Sequence, residues 1–287
     1  MIAVWKHELS NHFHSLTAYI FSAFLLTFVG LGAMLYNIQS AEANFEYVLR
    51  FVCLGFTVII TILTMKVIAE ESKQKTDQLL YSLPLTTSQI IIGKYLALLV
   101  VYLVPLVVIS FYPLIFAQFG DVYLLTSYGS MFAFFMMGAA LIAIGTFISS
   151  LTDNLGFAAG IAVPVILLNY YSVTLAEYVS STAFGSAVAL IVVTVILGFV
   201  IRYLTGNEKL ALGIGAVLSI VIVVLFFIDS TIFEGLLPNI MTKLSLFERF
   251  YKFVNGVFDL TGIVYYVTVI VFFLFLSVQS LEKRRYN

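Results

Sequence analysis

Residues 70–84 read EESKQKTDQLLYSLP and form a charged interruption between two long apolar segments. The chain of 287 residues is 62% hydrophobic and only 10% charged, whereas roughly a quarter of the residues in a soluble domain are charged. The composition therefore predicts an integral membrane protein. The interruption predicts the place where its membrane part meets something soluble.

Eight segments are apolar enough to be considered as membrane-spanning helices, which need about 20 residues each. They are residues 16–36, 47–69, 95–117, 127–149, 155–174, 183–201, 210–228 and 262–278. Their runs are continuously apolar and do not alternate with a period of two, which favours helices over a barrel. We therefore predict an all-α, polytopic membrane helical bundle in which residues 1–287 form one transmembrane domain.

The basic residues predict the orientation of this bundle. Eight crossings put both termini on one side, and an inner N-terminus gives the inner segments 10 of the 14 Lys and Arg residues and the outer segments 4. The positive-inside rule therefore predicts a multi-pass protein of the plasma membrane with both termini in the cytoplasm.

The segment before the first span, residues 1–15, has the pattern of an amphipathic helix that lies on the inner membrane surface. Its predicted apolar face carries Trp5, Leu9, Phe13 and Leu16. Its predicted polar face carries Lys6, Glu8 and Asn11. This helix is either a membrane anchor or a contact for a partner.

The longest outer segment, residues 229–261, contains a second amphipathic pattern. Its apolar face carries Leu246, Phe250, Phe253 and Val257. Its polar face carries Glu248, Lys252, Asn255 and Asp259. Glu248 and Lys252 are spaced for a favourable ion pair between successive turns. We therefore predict a helix at the outer interface.

Residues 71–84 carry the signals of a short helix on the cytoplasmic side. Thr76 can cap this helix, Asp77 suits its positive N-terminal end, and Pro84 stops it. Its apolar face carries Leu79, Leu80 and Leu83. The pattern predicts an exposed docking helix between two spans.

The remaining inner segments are short. Thr86 and Gln89 have the spacing of a capping box, which predicts that a new helix begins there and enters the next span. The inner turns at residues 150–154 and 202–209 are too short to hold a soluble domain. Any catalytic machinery in the cytoplasm must therefore come from another chain.

The chain has no motif that would hydrolyse a nucleotide or hold a metal. Gly93-Lys94 is the only Gly-Lys pair, and Ser88 and Tyr95 stand where a Walker A motif requires Gly and Ser or Thr. No two of the three histidines have the spacing of four residues that lets a helical pair share a metal. We predict no catalytic residue and no bound cofactor or metal. The net charge of −1 gives no indication of nucleic-acid binding.

Charged groups are almost absent from the middles of the apolar segments, so proton or ion coupling has no obvious carrier. Asn169 and Tyr170, in the outer half of the fifth segment, are the main polar irregularity there and are candidates for lining a path. The chain thus lacks an energy source, which a partner ATPase would supply.

Several short patterns, in the same order, resemble those of ABC-2 type transporter permeases. In the first half they are Glu70-Glu71, the run from Thr76 to Leu80, Leu83-Pro84 and Gly93-Lys94-Tyr95. In the second half, residues 148–154, 245–250, 255–259 and 282–285 are similar to the subgroup of gliding-motility-type permeases. The similarity covers nearly the whole chain.

The resemblance implies a type V exporter-like permease subunit. Such a subunit would pair with a second copy or with a different permease chain, and would bind two copies of a cytoplasmic ABC ATPase that holds ATP and Mg. The resemblance assigns residues 71–84 as a coupling helix. The residues that it implies in ATPase coupling are Glu70, Glu71, Thr76, Asp77, Leu79, Leu80, Leu83 and Pro84. Only six spans are usual in the family, so residues 183–201 and 210–228 are either two extra spans or include a re-entrant segment.

From this resemblance we predict ATP-driven export of an amphipathic, peptide- or lipid-like substrate, since walls rich in Phe and Tyr suit such a cargo. The outer helix would be a lid, or alternatively a passive anchor, and its gate candidates are Phe247, Glu248, Arg249, Phe250, Phe253 and Asp259. Membrane lipid completes the expected partners. The alternative function is that of a non-transporting scaffold or signalling component that works with an ATPase.

Overall fold

The computed structural model describes residues 2–74, 85–205 and 207–286, and this part of the chain contains twelve α-helices and no β-strand. The chain divides into two compact units. Unit 1 comprises Met1–Leu168 and Arg249–Arg285, and unit 2 comprises Asn169–Glu248 with Tyr286–Asn287.

Unit 1 contains most of the long helices. They are α1 (Ile2–His14), α2 (Leu16–Ala33), α3 (Glu46–Gln74), α4 (Thr87–Ile109), the short α5 (Phe111–Phe116), α6 (Leu124–Ser150) and nearly all of α12 (Leu260–Tyr286). Unit 2 contains α8 (Ala183–Thr205), α9 (Glu208–Ile228) and α10 (Leu236–Leu244). Two helices are divided between the units, namely α7 (Leu155–Tyr178) and α11 (Leu246–Val254).

Six helical stretches in the described part of the chain are long and apolar enough to cross a membrane. They are Leu16–Gln39, Glu46–Gln74, Thr87–Phe116, Leu124–Ser150, Leu155–Tyr178 and Leu260–Arg284. They coincide with the six segments predicted as the family core, of which only 95–117 extends beyond its observed stretch, by one residue. The prediction of an all-helical, polytopic membrane protein is therefore confirmed.

The two additional predicted segments are also helical. The apolar part of α8, Ala183–Phe199, is shorter than the six spans. Leu212–Ile228 and Ser230–Leu244 form a pair bent by 119°, which makes a seventh span if the pair is counted as one. The crossing of the membrane by both segments stays a prediction.

The core of unit 1 is the contact of α3, α4 and α6. Two tyrosines of α4 donate hydrogen bonds to main-chain carbonyls of α6: Tyr102 to Phe134 at 2.8 Å and Tyr95 to Ala139 at 3.2 Å. Gly145 lets α6 approach α3, since a Cβ at this position would collide with the side chain of Thr64. Polar atoms are thereby satisfied inside an otherwise apolar core.

The first helix differs from its prediction. Glu8, expected on the polar outer face of α1, is buried at 7% exposure, whereas Leu16, expected on the apolar face, lies beyond the end of α1 and is 75% exposed. The reason is an ionic partner on another helix. Helix α1 packs against α4 and α2, and Lys94 of α4 forms an ion pair with the Glu8 carboxylate. A pattern within one helix cannot reveal such a partner.

Candidate functional site

Lys94 lies at the centre of a buried ionic cluster in unit 1. Its Nζ atom is 2.7 Å from Oε1 of Glu8 on α1 and 2.5 Å from Oε1 of Glu71 on α3. The side chains of Lys94, Glu8 and Glu71 are 2%, 9% and 24% exposed. We call these three residues the Lys94 triad. They join three helices at the end of unit 1 from which residues 75–84 leave α3.

The attraction between the Lys94 ammonium and its two carboxylates is strong because the ammonium is removed from water, which would otherwise screen it. An ammonium has three donors and can serve two carboxylates at once, which the two short distances show Lys94 doing. Removing one partner of a buried ion pair typically costs about 3–5 kcal/mol, since the remaining charge has no replacement for its lost hydration. The three helices are therefore fixed to one another at this point.

The local sequence fixes where Lys94 lies. Thr86 caps α4 as predicted: its hydroxyl accepts from Gln89 N–H at 3.3 Å, and its own N–H donates to Gln89 Oε1 at 3.4 Å. A capping box sets the first turn of a helix. Lys94 follows two turns later, within reach of α1 and α3.

Ser149 of α6 fastens the last turns of α3 on another side. Its hydroxyl oxygen accepts from the N–H groups of Ile68 and Ala69, both at 3.1 Å, and donates to the carbonyl of Met65 at 2.9 Å. A single hydroxyl thus contacts three main-chain groups just before Glu71. This fixes the end of α3 relative to α6.

Arg284 of α12 completes the ring around the end of α3. Its Nη1 atom lies 2.6 Å from Oδ1 of Asp153, in the turn between α6 and α7, and donates to Ser72 Oγ at 3.0 Å. One turn earlier on α12, Ser280 donates to the carbonyl of Ser150 at 3.0 Å. The final turns of α3 therefore contact α1, α4, α6 and α12.

The predicted coupling residues fall into two groups. Glu71 is in the triad, whereas Glu70 is half-exposed and takes part in no ion pair among the described residues. Residues 71–74 continue α3 and do not begin a new helix. The other predicted contacts lie outside the described residues: Thr76, Asp77, Leu79, Leu80, Leu83 and Pro84.

His12 lies one turn beyond Glu8 on the same helix. Burial lowers its pKa, and the charges of Lys94 and Lys66 act in the same direction. Glu8 and Glu70 raise the pKa, but by less than burial lowers it. Docking of α1 therefore favours the neutral form of His12 relative to an exposed histidine.

The predicted outer helix is present as α11, and three of its four predicted apolar residues are buried: Leu246, Phe250 and Phe253. In unit 1, the Phe250 ring packs edge-on against Phe134, and the guanidinium of Arg249 lies 4.1 Å from the centre of the Tyr265 ring. In unit 2, Phe247 packs edge-on against Tyr170, with ring centres 4.9 Å apart. These gate candidates are thus packed aromatic and cation–π contacts.

The predicted ion pair between Glu248 and Lys252 is wrong. Lys252 Nζ lies 3.1 Å from Asp259 Oδ2 instead, because the chain turns back after α11 at Gly256, whose φ is +78°. A hydrogen bond from the Thr261 hydroxyl lowers the pKa of Asp259 to about 2. Lys252 and the Gly262 N–H make smaller contributions in the same direction. The turn also leaves Val257, expected on the apolar face, 56% exposed.

Asn169, predicted as a path residue, fastens a corner within unit 2. Its Nδ2 donates to the carbonyl of Leu244 at 3.1 Å, and its Oδ1 accepts from the N–H of Leu246 at 3.0 Å. Its main-chain carbonyl accepts from the hydroxyl of Ser245 at 3.3 Å. The amide thus holds the junction between α10 and α11, where helix ends leave main-chain groups without helical partners.

Sequence reasoning did not find the roles of Lys94, Glu8 and Arg284. Lys94 did carry a signal, since a lysine inside an apolar run needs a partner or a route to water. Its two carboxylates are 86 and 23 residues away along the chain. No spacing rule connects charges over such separations.

Comparison with known protein families gives one match: residues 34–183, more than half of the chain, match the family described as ABC-2 family transporter protein. The matched segment includes Glu71 and Lys94 but not Glu8. Comparison with curated proteins and with solved structures gives no match. In the part of the chain that the structure describes, no group of three or more His, Cys, Asp or Glu side chains could hold a metal ion.

Proposed function

Because this chain belongs to the ABC-2 transporter family, whose membrane subunits are not catalytic and rely on a partner ATPase, we propose that it is the permease of an exporter coupled to that ATPase through the Lys94 triad. The triad is the observation that carries this proposal. Residues 75–84, the predicted docking segment, have α3 on one side and α4 on the other. Glu71 and Lys94 join these two helices near the base of that segment.

The triad would determine how a push on residues 75–84 is transmitted. Two helices joined only by a loop would separate when the loop is displaced. With an ammonium shared between α3, α4 and α1, the three helices move together. Ser149 and Arg284 then pass the displacement from α3 to α6 and α12.

In this proposal the triad end of unit 1 faces the cytoplasm, in agreement with the distribution of basic residues. Two ATPase subunits dock on two permease chains, which are copies of this chain or this chain and a different permease. ATP binding closes the ATPase pair, and the coupled helices open the path between the permeases outward, a rigid-body transition. The gliding-motility-type subgroup belongs to the same proposal and rests on the similarity of residues 148–154, 245–250, 255–259 and 282–285.

The proposed cargo is amphipathic and peptide- or lipid-like. The spans carry few charged groups and many aromatic ones, which suits apolar and ring contacts better than ion coordination. At the opposite end of the transport path, α11 would act as the lid. Its packed Phe250 and Phe253 would have to leave their pockets for the lid to open.

The test is purification of the chain from its native membrane in mild detergent, followed by identification and counting of the proteins that accompany it. We expect a stoichiometric ABC ATPase, which the double variant Leu79→Asp, Leu80→Asp loses or leaves uncoupled from transport. Asn255→Asp, at the predicted outer end, is the matched control and retains the ATPase.

Reconstituted complexes then separate transport from the alternative function. ATP-dependent movement of a fluorescent phospholipid or peptide supports the exporter. An ATPase that associates but moves neither probe favours a scaffold or signalling component. Normal ATPase recovery and transport by the Leu79 and Leu80 double variant would contradict the assignment of the docking segment.

A further inference from the structure

Lys66 is a half-buried cation of α3 that forms no ion pair with a carboxylate among the described residues. Its Nζ atom is 3.5 Å from the hydroxyl of Thr17 on α2. None of the ion pairs between described residues includes Lys66, whereas Lys94 and Arg284, in the same unit, both have carboxylates. A lysine within an apolar span is costly unless it meets an opposite charge or reaches water.

Within the part of the chain that the structure describes, no carboxylate lies within ion-pair distance of Lys66. Glu70, one turn further along α3, makes no ion pair with it among the described residues. The charge of Lys66 also contributes to lowering the pKa of His12. Thr17 belongs to the first turn of α2, where the helix dipole is positive. An anion beside Lys66 would be attracted by both the ammonium and the helix end.

A shallow apolar groove runs from Lys66 along the contact of α2 and α3. Its floor is formed by Phe21, Ile59 and Leu63, which are buried, and its rims by Ile20 and Ile62, which are 54% and 38% exposed. We call this feature, with Thr17 and Lys66 at its polar end, the Lys66 groove.

We propose that the Lys66 groove binds an anionic phospholipid of the leaflet at the triad end. The headgroup phosphate accepts hydrogen bonds from Lys66 Nζ and the Thr17 hydroxyl. The first methylenes of one acyl chain cover Ile59 and Leu63. A free phosphate would match the charge but leave the apolar groove uncovered, so the two ends of the groove together favour a lipid.

Such a lipid would brace α3. It bridges α2 and α3 slightly more than one helical turn before Glu71, through Lys66, which forms no hydrogen bond or ion pair with the triad, Ser149 or Arg284 among the described residues. We expect its occupancy to hold the end of α3 more firmly and so to change how displacement of residues 75–84 is transmitted. The binding itself does not rest on the proposed exporter function.

The test is native mass spectrometry of the purified full-length chain titrated with phosphatidylglycerol or with phosphatidylcholine of the same acyl chains. We expect one phosphatidylglycerol to be retained in preference to phosphatidylcholine. Lys66→Met should weaken this retention about fivefold, the effect typical of one basic residue near an anionic membrane surface. Lys66→Arg should retain the lipid like the parent chain.

Two further variants separate the groove from charge in general. Ile62→Trp keeps Lys66 but fills the groove, and should also reduce retention. Lys73→Met removes an exposed charge from the same helix and should leave retention unchanged. Equal retention by the parent and Lys66→Met, or displacement of the lipid by millimolar inorganic phosphate, would overturn the proposal. Because the measurement uses the chain alone, its failure is distinct from failure of the ATPase coupling.

Discussion

At the scale of single residues, the molecule depends on one ammonium group that serves two carboxylates. Lys94 is the least exposed member of its triad, while Glu71 is the most exposed. With both carboxylates ionised the formal net charge of the triad is −1, and the lysine is the only group of the triad that offsets the charge of the glutamates. Loss of the ammonium leaves two like charges facing each other at short range.

We predict that Lys94→Met lowers the free energy of unfolding by about 3 kcal/mol, because two partly buried carboxylates lose their counterion. Thermal unfolding in detergent measures the change. Lys73→Met, in the same helix as Glu71 but exposed, is the control and should change stability by less than about 0.5 kcal/mol. Adding Glu8→Gln and Glu71→Gln to Lys94→Met should recover part of the loss. Equal stabilities of the Lys94 and Lys73 variants would contradict the buried triad.

His12 gives a second prediction, on pH. Burial lowers the pKa of His12 below its ordinary value of 6.5, so detached α1 binds a proton more readily than docked α1. The contribution of His12 to docking is therefore complete above pH 6.5 and is lost as the pH falls through its lowered pKa. Glu8 and Glu70, which raise the pKa, and Lys66 and Lys94, which lower it, are the charged groups that act on it.

Hydrogen exchange of residues 2–14 between pH 7.5 and 5.5, corrected for the intrinsic rate, measures this docking. We expect protection to decrease toward pH 5.5 in the parent chain. His12→Phe should remove most of this dependence, whereas His7→Phe, at an exposed position of the same helix, should preserve it. A pH profile unaffected by His12→Phe would show that another group controls the docking.

At the scale of helices, small residues determine how closely two helices can approach each other. In α6, Gly145 faces Thr64 of α3 with no room for a Cβ, while Gly129 of the same helix has nothing within 4 Å of its Cβ position. Both glycines weaken the helix by about 1 kcal/mol relative to alanine. They differ only in what surrounds them.

These two glycines form a matched pair of variants. We predict that Gly145→Ala destabilises the protein by about 1–3 kcal/mol, because α3 and α6 must separate to admit the methyl group. Gly129→Ala should be neutral or stabilise by up to about 1 kcal/mol through helix propensity. The midpoints of thermal unfolding for the two variants give the comparison, and a stabilising Gly145→Ala would mean that the helices are not in such close contact.

Asn169 gives a prediction at the junction of α10 and α11. Asn169→Leu removes one donor and one acceptor, so the main-chain groups of Leu244 and Leu246 lose partners. We expect faster hydrogen exchange in residues 244–248 and no change in the middle of α3. Asn169→Asp keeps the acceptor and should have a smaller effect. If both variants exchange like the parent, the amide does not fasten this corner.

The helices show which sequence signals sufficed. The capping box at Thr86, the six core spans and the amphipathic α11 were all predictable, since each depends on residues close in sequence. The buried face of α1 and the partner of Lys252 were not. The face of α1 is decided by Lys94, which is 86 residues from Glu8 along the chain. The partner of Lys252 is decided by the turn at Gly256, which brings Asp259, seven residues further on, to the lysine.

At the scale of the whole molecule, the predicted orientation in the membrane can be tested by labelling introduced cysteines. The chain's single cysteine, Cys53, is buried, so the parent protein should give little background in thiol labelling. Lys73 and Lys252 are both exposed and lie near opposite ends of their unit's bundle. Cysteines at these positions report which end faces the cytoplasm.

We predict that a membrane-impermeant maleimide labels Lys252→Cys in intact cells and labels Lys73→Cys only after the membrane is opened. This outcome follows from the greater number of basic residues at the triad end. The reverse pattern would overturn the orientation and, with it, the docking of an ATPase on residues 75–84. A cysteine introduced at Asn255 provides an independent check on the outer side.

The Lys94 triad also has a consequence for the order of assembly. A chain is made from its N-terminus, so Glu8 and Glu71 have both left the ribosome before Lys94 enters the membrane. The Lys94 ammonium, which is costly to bury without a counterion, can therefore pair with both carboxylates as soon as α4 is inserted. Arg284 is synthesised later than Lys94, so its contacts with Asp153 and Ser72 at the end of α3 form after the triad. The contacts around the end of α3 would therefore form in two stages, first the triad and then the contacts of Arg284.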